Sequence, residues 1–164
     1  KINIIYRNYK EKTEKETIYS LKNFCKLSKR KLFISNNVKL ALNFGLDGVY
    51  IPSFNKKINF ASTYCCPTNF KIIGSAHNRN EIRIKKLQNC SEIFISPLFK
   101  TKKKTNFLDI LRFNNLTLTQ KSKYIALGGI NQNNYKKLKL TNTIGFAGIS
   151  GIKKNGLRNL GRFK

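Results

Sequence analysis

The residues best suited to chemistry begin with two glycine-bearing turns. Gly128-Gly129 closes an apolar run from Tyr124 to Leu127, and Gly148-Ile149-Ser150 closes a shorter one from Ile144 to Ala147. Glycine just past a strand lets the backbone approach a ligand, and the N–H groups of a helix start form an anion site without side-chain charge. Asn131 sits where the N-cap of such a helix belongs, with Tyr135 and Leu138 continuing it. Glycines that do no more than make tight βα turns would satisfy the same spacing. Further groups able to meet an anion follow other strand-like runs: Arg7 and Lys10, Asn36, Ser75 and His77, and Thr101 with Lys104.

The elements that must position these groups alternate along the chain. Strand-like runs are expected at Lys1–Tyr6, Leu32–Ile34, Gly48–Ile51, Lys71–Gly74 and Glu92–Ile95, followed by the two runs that open on the glycine turns. Between them, Ile18, Leu21, Phe24, Cys25 and Ser28 recur at helical spacing within 11–29. Val38, Ala41 and Leu42 mark a short helix that stops at Gly45, a third helix runs to about Leu87, and a fourth covers Asn106–Phe113. Residues 53–69 carry no clear pattern.

Strand and helix in alternation signal a parallel α/β protein. The polar and glycine residues follow the strands, which puts them on the one face where such folds bind and react. About seven strands are counted where a closed (β/α)8 barrel has eight, so the expectation is a TIM-type barrel lacking its first βα unit, with a doubly wound sheet as the alternative. Residues 1–152 would form the single domain and 153–164 a basic tail. The chain has no methionine and opens on Lys1 inside a strand-like run, so the first unit is expected to lie upstream.

With 33 Lys and Arg against 7 Asp and Glu, the 164-residue chain carries a net charge of +26. That charge suits a nucleic-acid surface. It is spread along the whole chain, however, as on solvated faces, so nucleic acid is not the expected partner; anionic small molecules would still be concentrated near it. Residues that are 40% hydrophobic and 12% aromatic exclude a disordered chain, and no apolar stretch reaches the roughly 18–20 residues of a membrane span. Cys25, Cys65, Cys66 and Cys90 have no metal-ligand spacing, which fits reduced thiols and a cytoplasmic setting.

Four segments together carry a resemblance: Gly74-Ser75-Ala76-His77, Ser96-Pro97-Leu98-Phe99 with Thr101 and Lys104, Ala126-Leu127-Gly128-Gly129-Ile130, and Ile149-Ser150. In this order the chain resembles thiamine phosphate synthase and its thiazole-tautomerase-like relatives, a TIM-barrel family. The resemblance implies a transferase that joins an aminopyrimidine methyl diphosphate to a thiazole phosphate and expels pyrophosphate. It implies that Arg7 and Ser75 contact the diphosphate, that Asn36 is the first residue of the family's Asn-Asp pair, and that Asn36 and Lys10 also bind substrate or phosphate. Thr101 and Lys104 would touch the two phosphates, and Gly129, Ile149 and Ser150 would cradle the thiazole phosphate. Ser75 and Lys104 are thereby catalytic candidates. His77 is a third by analogy with the acid/base of the tautomerase-like relatives, or else it caps and packs its helix. The implied partners are these small molecules, with the oligomeric state left open.

The departures concern the metal. The resemblance implies magnesium held by aspartates after the third and fourth strands of the barrel. Asn37 stands where the first would be, and 50–55 contain no carboxylate for the second. Asp47 precedes its strand, and Lys10 lies one position beyond the family's usual lysine. A metal-independent tautomerase-like isomerase and a non-catalytic phosphate- or nucleic-acid-binding module are the alternatives.

Overall fold

A computed structural model describes residues 2–9, 15–101, 106–118 and 122–148. Two compact units emerge. The first runs to Ser75 and takes up Asn80–Ser91; the second takes Ala76–Arg79 and resumes at Glu92.

In the first unit four strands, β1 (Ile4–Tyr6), β2 (Leu32–Ser35), β3 (Gly48–Ile51) and β4 (Lys71–Ala76), pair in chain order. All three pairings are parallel, with Tyr6 against Ile34, Ile34 against Val49, and Ile51 against Gly74. β2 and β3 are buried at every position, as strands covered on both faces must be. The connections are α1 (Lys15–Leu27), α2 (Val38–Asn43) and α3 (Arg79–Leu87).

The helical spacing expected for α1 is realised: Ile18 and Cys25 bury against Leu32, Ile34, Ala41 and Phe44, with Leu21 partly buried beside them. Phe24 departs from that face, being 41% exposed with the Arg30 guanidinium over its ring. α2 is capped by Asn37, whose side chain accepts from the Leu40 N–H at 2.9 Å. Residues 53–69 form neither helix nor strand and run through turns, with Ala61 buried in a cluster with Val38, Val49 and Ile51.

The second unit contains β5 (Glu92–Ile95), α4 (Asp109–Thr117), β6 (Lys123–Leu127), a 3₁₀ helix (Tyr135–Leu140) and β7 (Gly145–Ala147). Its strands are parallel, Ile95 facing Ala126 and Leu127 facing Ala147. Two expectations shift here. The fourth helix starts at Asp109 rather than Asn106, because the Leu108 and Asp109 N–H groups donate to the carbonyls of Pro97 and Leu98. The helix expected from Asn131 is a six-residue 3₁₀ helix starting at Tyr135. The Asn131 side chain instead accepts from the Asn133 N–H, closing a local turn ahead of it. The expected basic tail, 153–164, lies outside the described residues.

Candidate active site

At the carboxyl ends of β1–β4 the side chains of Arg7 and Ser75 meet at the Tyr50 ring, and Asn36 joins them through its backbone. Tyr50, on β3, is buried to 3% exposure. Its phenol hydrogen-bonds with Ser75 on β4, and its backbone carbonyl accepts from the Asn36 N–H at 2.8 Å. The Arg7 guanidinium carbon lies 5.5 Å from its ring centroid, within cation–π range. Burial pushes the Tyr50 phenol above its ordinary pKa, while the Ser75 hydrogen bond and the Arg7 charge act the other way. Arg7, Asn36 and Ser75, chosen one by one from sequence, thus share a neighbour that was not singled out. The available signal was its place just inside the end of a buried strand.

Tyr9 was missed as well. Its ring centroid is 5.4 Å from the Arg7 guanidinium carbon, its hydroxyl accepts from Arg7 Nε at 3.2 Å, and it lies 2.7 Å from the buried Ser35 Oγ. Phe54 stands edge-on to it at 5.6 Å. Asn36 adopts φ 58°, a left-handed conformation that asparagine tolerates. Its Oδ1 accepts from Asn55 Nδ2 at 2.7 Å, which fixes the amide's orientation.

Beneath the loop after β3 lies a buried cation. Lys85 on α3 is fully buried, and its Nζ donates to the carbonyls of Pro52 and Asn55 and to Gln88 Oε1, each at 2.8 Å. Gln88 Nε2 adds bonds to the carbonyls of Asn55 and Lys57. Burial lowers the Lys85 ammonium from 10.5 to about 8, against the opposing pull of Cys90 and Glu81. Gly74 makes this possible, since a Cβ there would sit 2.8 Å from Lys85 Cδ and from Cys90 Sγ. A lysine in a basic helix is ordinarily solvated. The clue was its position three residues after the buried Ile82, with the equally buried Gln88 three further on.

In the second unit, His77 and the Gly128-Gly129 turn both engage the segment that follows β5. His77 Nδ1 is 2.6 Å from the Ser96 carbonyl oxygen, so this nitrogen carries the proton and donates. Ser96 N–H in turn donates to Ala76 at 3.3 Å. The Leu98 and Phe99 N–H groups donate to the Leu127 and Gly128 carbonyls at 2.9 and 3.1 Å. Gly129 has φ +72°, and a Cβ on it would meet the backbone oxygens of Phe99 and Lys100. Its glycine is therefore required by the approach of another loop of the protein. Its own carbonyl accepts from Asn134 Nδ2 at 2.8 Å. Thr101 follows directly and is half-buried. Lys10, Lys104, Ile149 and Ser150 lie outside the described residues.

Among the described residues no three His, Cys, Asp or Glu side chains cluster to hold an ion. Asn37 is a neutral amide spent on capping α2. Asp47 accepts from the Leu32 N–H at 2.9 Å, at the opposite, amino end of β2. Magnesium needs at least one carboxylate beside its phosphate oxygens, so the described residues do not fit it. No helix among them is long and apolar enough to cross a membrane.

Parallel strands that alternate with helices along the chain define an α/β protein. More particularly, the chain belongs to the thiamine monophosphate synthase (TMP-TENI) family, whose model matches residues 3–152. It is 34% identical over 122 residues to a thiamine-phosphate synthase of Prochlorococcus marinus strain SARG, covering 73% of this chain and 35% of that protein. A second thiamine-phosphate synthase, from strain AS9601 of the same species, is 28% identical over 144 residues, covering 84% of this chain and 40% of the relative. The chain thus spans little more than a third of the length of these curated relatives. Among solved structures, thiamine phosphate pyrophosphorylase from Pyrococcus furiosus matches with a TM-score of 0.69 and 17% identity, covering 88% of this chain and 69% of that one. That likeness shows a shared fold.

Proposed function

We propose that the chain acts as a thiamine phosphate synthase, joining an aminopyrimidine methyl diphosphate to a thiazole phosphate with release of pyrophosphate. A (β/α)8 barrel is the architecture proposed with it. The observation that carries the reading is the grouping of Arg7, Asn36 and Ser75 around Tyr50 at the strand ends of the first unit. These residues would hold the diphosphate together with Lys10. As the carbon–oxygen bond ionises, charge builds on the leaving diphosphate, and a guanidinium and fixed dipoles already oriented toward it lower the barrier. Gly129, Ile149 and Ser150 would receive the thiazole phosphate, and Thr101 and Lys104 would touch both phosphates. No step is assigned to magnesium.

A second reading follows from His77. Donation from Nδ1 to the Ser96 carbonyl fixes the ring and leaves Nε2 as the basic nitrogen of the neutral imidazole. A histidine ring held in place in this way suits general acid–base chemistry. Incubation with both substrates, with and without magnesium, distinguishes the two. Thiamine phosphate above a boiled control supports the transferase; thiazole isomerisation alone, lost in His77→Ala, supports the tautomerase.

A further inference from the structure

We propose that Tyr9, with Tyr50, is a positioning residue that holds the Arg7 guanidinium for end-on, two-oxygen capture of a phosphate group through its Nη1 and Nη2 edge. The inference rests on the proposed role of Arg7 and adds how its fork is aimed and by what. Arg7 Nε is already spent on the Tyr9 hydroxyl at 3.2 Å. That leaves the side-on fork, which would need Nε, unavailable to a ligand. Among the described residues neither Nη has a hydrogen-bond acceptor, so none of these residues competes with a two-oxygen ligand for the end of the fork. The carbon at the centre of the guanidinium lies 5.4 and 5.5 Å from the Tyr9 and Tyr50 ring centroids. Two aromatic faces that attract a weakly hydrated cation restrict its rotamers before any ligand arrives.

The two rings are themselves tied down. Tyr9 lies 2.7 Å from the Ser35 hydroxyl and meets Phe54 edge-on, while Tyr50 is buried and bonded with Ser75. The guanidinium of an exposed residue is thus referenced to the ends of β2, β3 and β4. Parallel N–H pairs of a planar guanidinium match two oxygens of one phosphate, which a lysine in the same place would meet only as a point charge. The ligand class is therefore a phosphate or diphosphate ester whose terminal group enters from the open side of Arg7.

Inorganic pyrophosphate binding, measured by titration calorimetry on the full chain, provides the test. Tyr9 is 47% exposed, so its substitution leaves the core intact, and matching thermal transitions verify this. Arg7→Ala should weaken binding about a hundredfold, Tyr9→Leu about tenfold and Tyr9→Phe about fivefold, in line with losing a charge-assisted fork, a stacked ring plus hydrogen bond, and the hydrogen bond alone. In the Arg7→Ala background Tyr9→Leu should add less than about twofold, because its effect passes through Arg7. Loss of binding in Arg7→Ala with full binding in Tyr9→Leu overturns the clamp and leaves the role of Arg7 standing. Unchanged binding in Arg7→Ala, or none by the unmodified chain, overturns that role and the clamp together.

Discussion

The Lys85 ammonium donates to the carbonyl of Pro52 at 2.8 Å across the first unit, from α3 to the residue that follows β3. With its bonds to Asn55 and Gln88, it sets the loop that presents Asn55 to Asn36. A charge with no exposed surface is placed here to satisfy the Pro52 carbonyl and Gln88 Oε1, and it shares the Asn55 carbonyl with Gln88 Nε2.

Replacing it with an isosteric apolar side chain, Lys85→Met, orphans the Pro52 carbonyl and Gln88 Oε1, while the Asn55 carbonyl keeps its bond from Gln88 Nε2. The expected loss is about 3 kcal/mol or more of unfolding free energy, since each unsatisfied buried acceptor costs about 1–3 kcal/mol. A urea titration checks this; a midpoint within error of the unmodified chain would show that the loop is held by other contacts.

The neighbouring thiol predicts a pH dependence. Burial raises Cys90 from its ordinary 9.0 to about 12, although the Lys85 charge pulls it down. Its folded pKa lies above its unfolded one, so its contribution to stability is complete below pH 9 and is lost between about 9 and 12. The lowered Lys85 acts in the opposite direction, costing stability below about 8 and recovering it toward 10.5. Cys90→Ala should therefore fall in stability less steeply than the unmodified chain between about pH 9 and 11, by up to about 1.4 kcal/mol per pH unit. Parallel curves in denaturant titrations across that range would contradict it.

Gly129→Ala must place a methyl group against the Phe99 and Lys100 carbonyls at a positive φ. A loss of at least about 2 kcal/mol is expected from backbone strain alone. The thermal transition measures it, and an unshifted one would mean that the two loops part without cost.

Much of this arrangement was visible in the sequence because its causes are local. Leu32-Phe33-Ile34 and Gly48–Ile51 are short β-branched or aromatic runs bounded by turn residues, and they form β2 and β3. The helical period of Ile18, Leu21 and Cys25 survives in α1. Other features depend on partners distant along the chain. Nothing near Asn106 announces that Leu108 and Asp109 will bond to Pro97 and Leu98, which delays α4. Lys85 looks like surface charge until Gly74 opens room for it. Arg7, Asn36 and Ser75 could be chosen by their positions after strands, whereas Tyr9 and Tyr50 gain their roles only when β1 and β3 are brought to the same end.

Asn37 offers a test of the missing metal ligand. Asn37→Ala should cost about 1 kcal/mol by uncapping α2, while Asn37→Asp, an equivalent cap, should stay within about 0.5 kcal/mol of the unmodified chain. Only the aspartate variant brings a carboxylate to that strand end, so magnesium should tighten its pyrophosphate binding more than it does for the unmodified chain. Calorimetry with and without the ion reads this directly; equal magnesium responses would remove Asn37 from any account of metal use.

The most direct test of the transferase reading is product formation from both substrates by the chain and by Arg7→Ala, followed by mass spectrometry. The account predicts thiamine phosphate and pyrophosphate in equal amounts from the unmodified chain, and a rate reduced about a hundredfold or more in Arg7→Ala with an unchanged thermal transition. Equal rates in the two proteins, or no thiamine phosphate above a boiled control, would contradict it.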